Sequence, residues 1–256
     1  MSAVAQESSY GRQFAPFYDR LFPADEAGAA AVDRLADLHL ARAGAPIEFG
    51  VGTGRVALPL ARRVGPVVGV DASREMLDQL SEAAARAHDE ALVEPVEGDM
   101  RDYRASDGHG LVYCILGSLS ILLERDEQRA ALRTLAAAAA PGAAVVIETH
   151  NPAFVRALHD GRPTTSWLVP YAQADTALLS HVTLDERREL WQLAHIFFDA
   201  GRARVAAETS RLIEPDALDE MAAAAGLEVE AHHGGWNGDA PHAGAPMLVG
   251  TYRRPI

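Results

Sequence analysis

Residues 48–54 read Glu48-Phe49-Gly50-Val51-Gly52-Thr53-Gly54, with Asp71 and Asp99 lying 17 and 45 positions beyond Gly54. Closely spaced glycines let a backbone turn tightly and approach a ligand, and a helix that starts behind them offers unpaired N–H groups. A carboxylate at the end of the following strand can accept both hydroxyls of a ribose. Together these residues point to a ligand with a nucleoside part. A dinucleotide fits less well. Counted from Gly50, the third-glycine position holds Arg55; counted from Gly52 it holds Ala57, which the fingerprint tolerates, but Glu48 just inside the strand is unusual for a dinucleotide site.

A second set of residues could act on an acceptor molecule. His150 follows an apolar run directly and is succeeded by Asn151 and Pro152. An imidazole with an ordinary pKa near 6.5 can take a proton at neutral pH, and Asn151 could pin an acceptor beside it. Trp167, Trp191 and Trp236 could box a cationic amine through their ring faces. Each has a plainer reading as well: His150 as a loop residue bonded to backbone, the tryptophans as core or lid packing. His195 alternates with Trp191, Leu193 and Phe197, which fits a buried structural histidine as well as an acceptor contact. Cys114, inside an apolar run, reads as a small core residue.

Composition narrows the chemistry. The chain has 256 residues, 48% of them hydrophobic, and a formal charge of −13. That length suits one α/β domain and is enough to bury a core without disulfides or a structural metal. A single cysteine excludes an internal disulfide and any cysteine-based metal cage. All 23 basic residues are arginine. Lysine Schiff-base chemistry and the phosphate loop that ends in Gly-Lys-Ser/Thr are therefore excluded. The acidic balance argues against nucleic acid as a partner. With neither a leader-like N-terminus nor a long apolar run, the expectation is a cytoplasmic protein without a membrane partner.

The elements that must position these groups follow from periodicity. Strands are expected at Pro46–Phe49, Pro66–Asp71, Ala91–Val96, Leu111–Leu116 and Ala143–Glu148, with helices at Arg55–Val64, from Ser73 through Ala87, and at Asp126–Ala140. Pro141-Gly142 reads as a turn. Apolar strands separated by helices indicate a parallel sheet covered on both faces. From Thr176 the pattern changes to three alternating runs, Thr176–Leu184, Glu189–Asp199 and Arg202–Ile213, which read as an antiparallel meander. A helix at Asp216–Ala225 and strands at Leu227–His233 and Met247–Arg253 close the chain. The aromatic residues 1–23 read either as a terminal helix on the body or as a lid over a site. The expected division is thus a lid at 1–23, a core at 24–152 and 215–256, and an inserted substrate-covering meander at 153–214.

At these residues the chain resembles the class I S-adenosylmethionine-dependent methyltransferases. Their first motif, an acidic residue followed by GxGxG, matches Glu48 through Gly54. The resemblance implies a seven-stranded, mostly parallel Rossmann-like sheet with an antiparallel last strand. It places Gly50 and Gly52 beside the methionine part of the cofactor and Asp71, with Ala72, at the ribose. Asp99 and Met100 match the segment that meets adenine, and Leu116 the strand end that faces the methyl group. Tyr18, Val51 and Met76 complete the implied cofactor contacts. Gly110 departs from the family, which often has an aspartate before the fourth strand. Tyr18-Asp19, the meander and Gly234–Asn237 resemble natural-product enzymes that methylate amino sugars or a peptide amine of the daptide type. The function implied is methyl transfer to an amine nitrogen of a small molecule or peptide, needing no metal, with Tyr10, Asn151, Trp167, His195 and Trp236 as acceptor contacts and His150 as the base. Rivals are methylation of a hydroxyl or carboxylate, an NAD-dependent oxidoreductase and a non-catalytic cofactor-binding protein.

Overall fold

The computed structural model describes residues 10–256 apart from 24, 41–42, 106–107, 171–175 and 200. The first nine residues of the expected lid therefore lie outside the described residues, as does Ala200, between the second and third runs of the expected meander. Strands β1 (Pro46–Phe49), β2 (Val67–Asp71), β3 (Val93–Glu97), β4 (His109–Cys114) and β5 (Ala139–His150) alternate with helices in the first half of the chain. Helices α1 (Glu26–Leu38), α2 (Ala57–Val64), α3 (Arg74–Ala87) and α4 (Arg125–Ala138) accompany them. Then come α5 (Pro152–His159), β6 (Thr164–Pro170), β7 (Thr176–Asp185), β8 (Leu190–Asp199), β9 (Arg202–Arg211), α6 (Pro215–Ala224), β10 (Glu228–His233) and β11 (Met247–Arg253).

One sheet has seven strands in the order β10-β11-β5-β4-β1-β2-β3. It is parallel except where β11 runs against β5 and β10. Both faces are covered, which explains the near-continuous apolar strands. Ile47, Phe49, Val112 and Cys114 pack against Leu132 and Leu135 of α4 and Met221 of α6. Leu111, Tyr113 and Val146 on the other face meet Leu35, Leu60 and Leu77 of α1, α2 and α3. The strand order reverses at β1, whose neighbours are β4 and β2, and ligands of open α/β sheets bind at the carboxyl ends of strands at such a point.

A second sheet, β6-β7-β8-β9, is antiparallel throughout. It has four strands where sequence periodicity gives three. Asn151-Pro152, which reads as a break, instead starts α5: Asn151 is the N-cap, its Oδ1 accepting from the Ala153 N–H at 3.0 Å, with proline in the first turn. Proline is favoured there because that position needs no amide donor. Pro141-Gly142 is not a turn between separate elements either. It lies within β5, where the pairing with β4 slips between His109 and Leu111, a bulge that absorbs the extra residues.

The N-terminal segment joins the two sheets. Phe14, Phe17 and Leu21 are buried among Met76 of α3 and Leu178, Phe197 and Ala206 of the antiparallel sheet. The Phe17 and Phe197 rings stack with centroids 5.9 Å apart. Arg20 pairs with Asp199 at 2.7 Å, and Asp19 accepts from the Thr53 hydroxyl at 2.6 Å.

Candidate active site

A cavity of about 250 Å³ opens at the carboxyl edge of β1, β2 and β4, under the antiparallel sheet and the N-terminal segment. That is room for an organic ligand rather than an ion.

The glycine loop forms one end. Gly50, Gly52 and Gly54 all have positive φ, at +78°, +56° and +80°, a conformation that side chains disfavour. A Cβ at Gly50 would strike the Ser118 side chain, whereas at Gly52 it would meet nothing within 4 Å. Gly50 and Gly52 line the cavity, and so does Asp71 at the end of β2. The Gly52 N–H donates to Asp71 Oδ2 at 2.9 Å and the Ser73 N–H to Oδ1 at 2.8 Å. Each oxygen keeps a lone pair for a ligand hydroxyl. Burial pushes the Asp71 carboxyl up, against the pull of these two backbone bonds. Ala72, Met76 and Met100 add apolar wall on this side, and Tyr10 and Tyr18 reach the cavity from the N-terminal segment. Burial raises both phenols, that of Tyr18 to about 12.

The other end is built on β4 and β5. Leu116 lines the cavity in the left-handed region, φ +56°, an uncommon conformation for a leucine. It is held there by Glu148, whose Oε2 accepts the Leu116 N–H at 2.7 Å while Oε1 accepts from Trp236 Nε1 at 2.7 Å. His150 lines the cavity two residues further along β5. Gly117 makes room for it, since a Cβ there would stand 3.0 Å from His150 Nε2. Trp191 sits edge-on to the imidazole at 5.1 Å. Burial pushes His150 below its ordinary value, opposed by the charge of Glu208. The ring is therefore a neutral acceptor at physiological pH.

Seven of the expected site residues are not brought to the cavity wall. Glu48 is buried beneath it beside Tyr113, and burial raises its carboxyl well above the ordinary range. Val51 points into the core against Gly69. Asp99 is turned to Arg101, and although burial works the other way, the guanidinium bonds hold its carboxyl below the ordinary range. Asn151 caps α5 and donates through Nδ2 to the His242 and Ala245 carbonyls at 2.9 and 2.7 Å, which leaves little of its amide for an acceptor. Trp167 packs beside Val182 and Trp191, and Trp236 is held by Glu148. His195 lies behind the wall, with Nδ1 2.9 Å from Ser180 Oγ.

The lining residues that escaped sequence reasoning include Arg55, Ser118, Glu208 and Ser210. Arg55 donates to the Phe22 and Pro23 carbonyls, and its buried Nε has no partner. Its position directly after the glycine loop was the available signal. For Glu208 the signal was alternation, which puts an acid between Ala206 and Ser210 on the inner face of β9.

The methyltransferase domain family matches residues 47–142, the stretch from β1 into the bulge of β5. The chain is 31% identical over 196 residues to a cypemycin N-terminal methyltransferase of a Streptomyces species, covering 75% of this chain and 76% of that one. It is 25% identical to the dTDP-3-amino-3,6-dideoxy-alpha-D-glucopyranose N,N-dimethyltransferase of Streptomyces fradiae, over 98% of both chains. Among solved structures, the CcbJ methyltransferase of Streptomyces caelestis superposes with a TM-score of 0.88 at 30% identity, covering 98% of this chain and 99% of that one.

Proposed function

The chain belongs to the S-adenosylmethionine-dependent methyltransferases, and from that premise we propose that it methylates an amine nitrogen of a small-molecule or peptide natural product in the cytoplasm. The observation that carries the acceptor reading is the imidazole of His150 on the cavity wall with Leu116. The printed functions of the peptide and amino-sugar relatives support the same choice of nitrogen.

The residues present fit the cofactor. Asp71 has lone pairs toward the cavity for ribose hydroxyls, and Gly52 leaves open space for close backbone approach. Met76 and Met100 offer polarizable walls to an adenine ring. Arg55, with its unpartnered buried Nε, would meet the cofactor's carboxylate. When bound, S-adenosylmethionine supplies a methyl group already activated on a sulfonium. The protein's work is then alignment, exclusion of water and management of one proton. An amine acts as a nucleophile only as the free base, so His150 takes its proton directly or through a water. Tyr10, Tyr18 and Phe22 line the cavity from the N-terminal segment and exclude solvent from it.

Incubation of the protein and S-adenosylmethionine with a peptide bearing a free α-amine, an amino sugar, and their N-acetylated forms tests the reading. Methyl groups on nitrogen, absent when that nitrogen is acetylated, are expected. Methylation confined to hydroxyl or carboxylate oxygen would overturn it.

A further inference from the structure

We propose that Glu208 selects nitrogen over oxygen as the methyl acceptor, by stabilising the positive charge that arrives on the acceptor atom during transfer. The inference rests on the amine reading above and names the residue that enforces it.

Glu208 projects from β9, on the antiparallel sheet, and lines the same cavity as Leu116 and His150. Its side chain is only 14% exposed. Among the described residues no arginine pairs with it, and the chain has no lysine. The basic group that faces its carboxylate at ion-pair distance is His195, with Nε2 3.7 Å from Oε1, too long for a hydrogen bond. That Nε2 is itself buried without a hydrogen-bond partner. The other groups whose charge Glu208 feels are Tyr10, Tyr18 and His150, of which none is a cation at neutral pH. A carboxylate so far removed from water is costly unless a positive charge meets it. Arg55, the cation on the same cavity wall, is bonded to the Phe22 and Pro23 carbonyls, so beyond His195 the complementary charge falls to the occupant.

The chemistry says which charge that is. As the amine lone pair forms the N–C bond, the C–S bond of the donor breaks and its electrons go to sulfur. The positive charge passes from sulfur to nitrogen until an N–H proton leaves, to His150 or to water. A fixed carboxylate on the nitrogen side stabilises that charge more in the transition state than before it, which is the condition for a rate effect. An oxygen acceptor runs a different course. An alcohol gives up its proton to a base as the O–C bond forms, and a carboxylate arrives as an anion, so neither leaves a lasting positive charge for Glu208 to meet.

The test uses the full chain, Glu208→Gln, and two probes of equal shape, phenethylamine and 2-phenylethanol, titrated onto protein saturated with S-adenosylhomocysteine. Wild type is expected to bind the amine at least about tenfold tighter than the alcohol, the scale of one charged hydrogen bond. Glu208→Gln should erase that preference while keeping its affinity for S-adenosylhomocysteine. With an amine acceptor, kcat/KM should fall by about 10²-fold. Glu208→Asp, which keeps the charge, should retain part of both and stands in if the glutamine variant is unstable. Wild-type preference and rate in Glu208→Gln would overturn the role of Glu208 while leaving the amine reading intact. Methylation of oxygen alone by the wild-type protein would overturn both.

Discussion

The Gly52 amide donates to the Asp71 carboxylate at 2.9 Å, so the loop after β1 and the end of β2 form one unit. Asp71→Ala removes an acceptor from that amide as well as from a ligand's hydroxyls. Affinity for S-adenosylhomocysteine, measured by calorimetry, is expected to fall by about 1.5–3 kcal/mol for each charged hydrogen bond lost. Affinity equal to wild type would remove Asp71 from the cofactor site.

His150→Gln keeps a polar side chain over Gly117 but loses the basic nitrogen. Turnover should drop by about 10²–10⁴-fold, with cofactor affinity kept. Because burial lowers the imidazole's pKa, the acid limb of the wild-type rate profile should lie below the ordinary value of about 6.5. The same depression links to stability. Between the two values the unfolded chain binds more protons, so stability fully present above about 6.5 declines as the pH falls through the folded value. A variant with wild-type rate and profile would leave His150 a packing residue.

Glu48 titrates with the opposite sign. Its carboxyl is raised by burial, so the folded state holds a proton that the unfolded state releases above about pH 4.3. Stability from this group is fully present below that point and is lost as pH rises through the folded value. Glu48→Gln should therefore raise the melting temperature at pH 7–8, with the gain vanishing near pH 4. Since Glu48 lies beneath the cavity and not on its wall, affinity for S-adenosylhomocysteine should stay close to wild type. A stabilisation independent of pH would contradict this account.

The seven-stranded sheet was legible because parallel strands buried on both faces leave short apolar runs, and because Gly50–Gly54, Asp71 and Leu116 all stand at strand ends. Helix α5 and strand β6 were not. Asn151-Pro152 serves equally to stop a chain or to cap a helix, and only the fold shows which. Side-chain partners far apart in sequence were the main loss. Nothing local tells that Trp236 reaches Glu148, or that Asn151 reaches the His242 and Ala245 carbonyls. These bonds turn two expected acceptor contacts into scaffold.

Phe17 tests the wall that the N-terminal segment makes. It is buried, stacks on Phe197, and holds the stretch that carries Tyr10 and Tyr18 to the cavity. Phe17→Ala should cost about 3–5 kcal/mol in urea denaturation and raise the acceptor KM. A loss under about 1 kcal/mol would mean that the site closes without this contact.

Strand β11 lies inside the large sheet, between β5 and β10, and its Met247–Arg253 pair with residues 144–150 of β5. Chains are made from the N-terminus and their parts fold as they appear. While the nascent chain grows through the antiparallel sheet and α6, β5 has no neighbour on that side and presents a row of open backbone groups, an invitation to foreign strands. The β10–β11 hairpin must then enter as a unit, with its inner strand closing the gap. The strand edge that carries His150, paired with Met247, is thus among the last parts to set during synthesis.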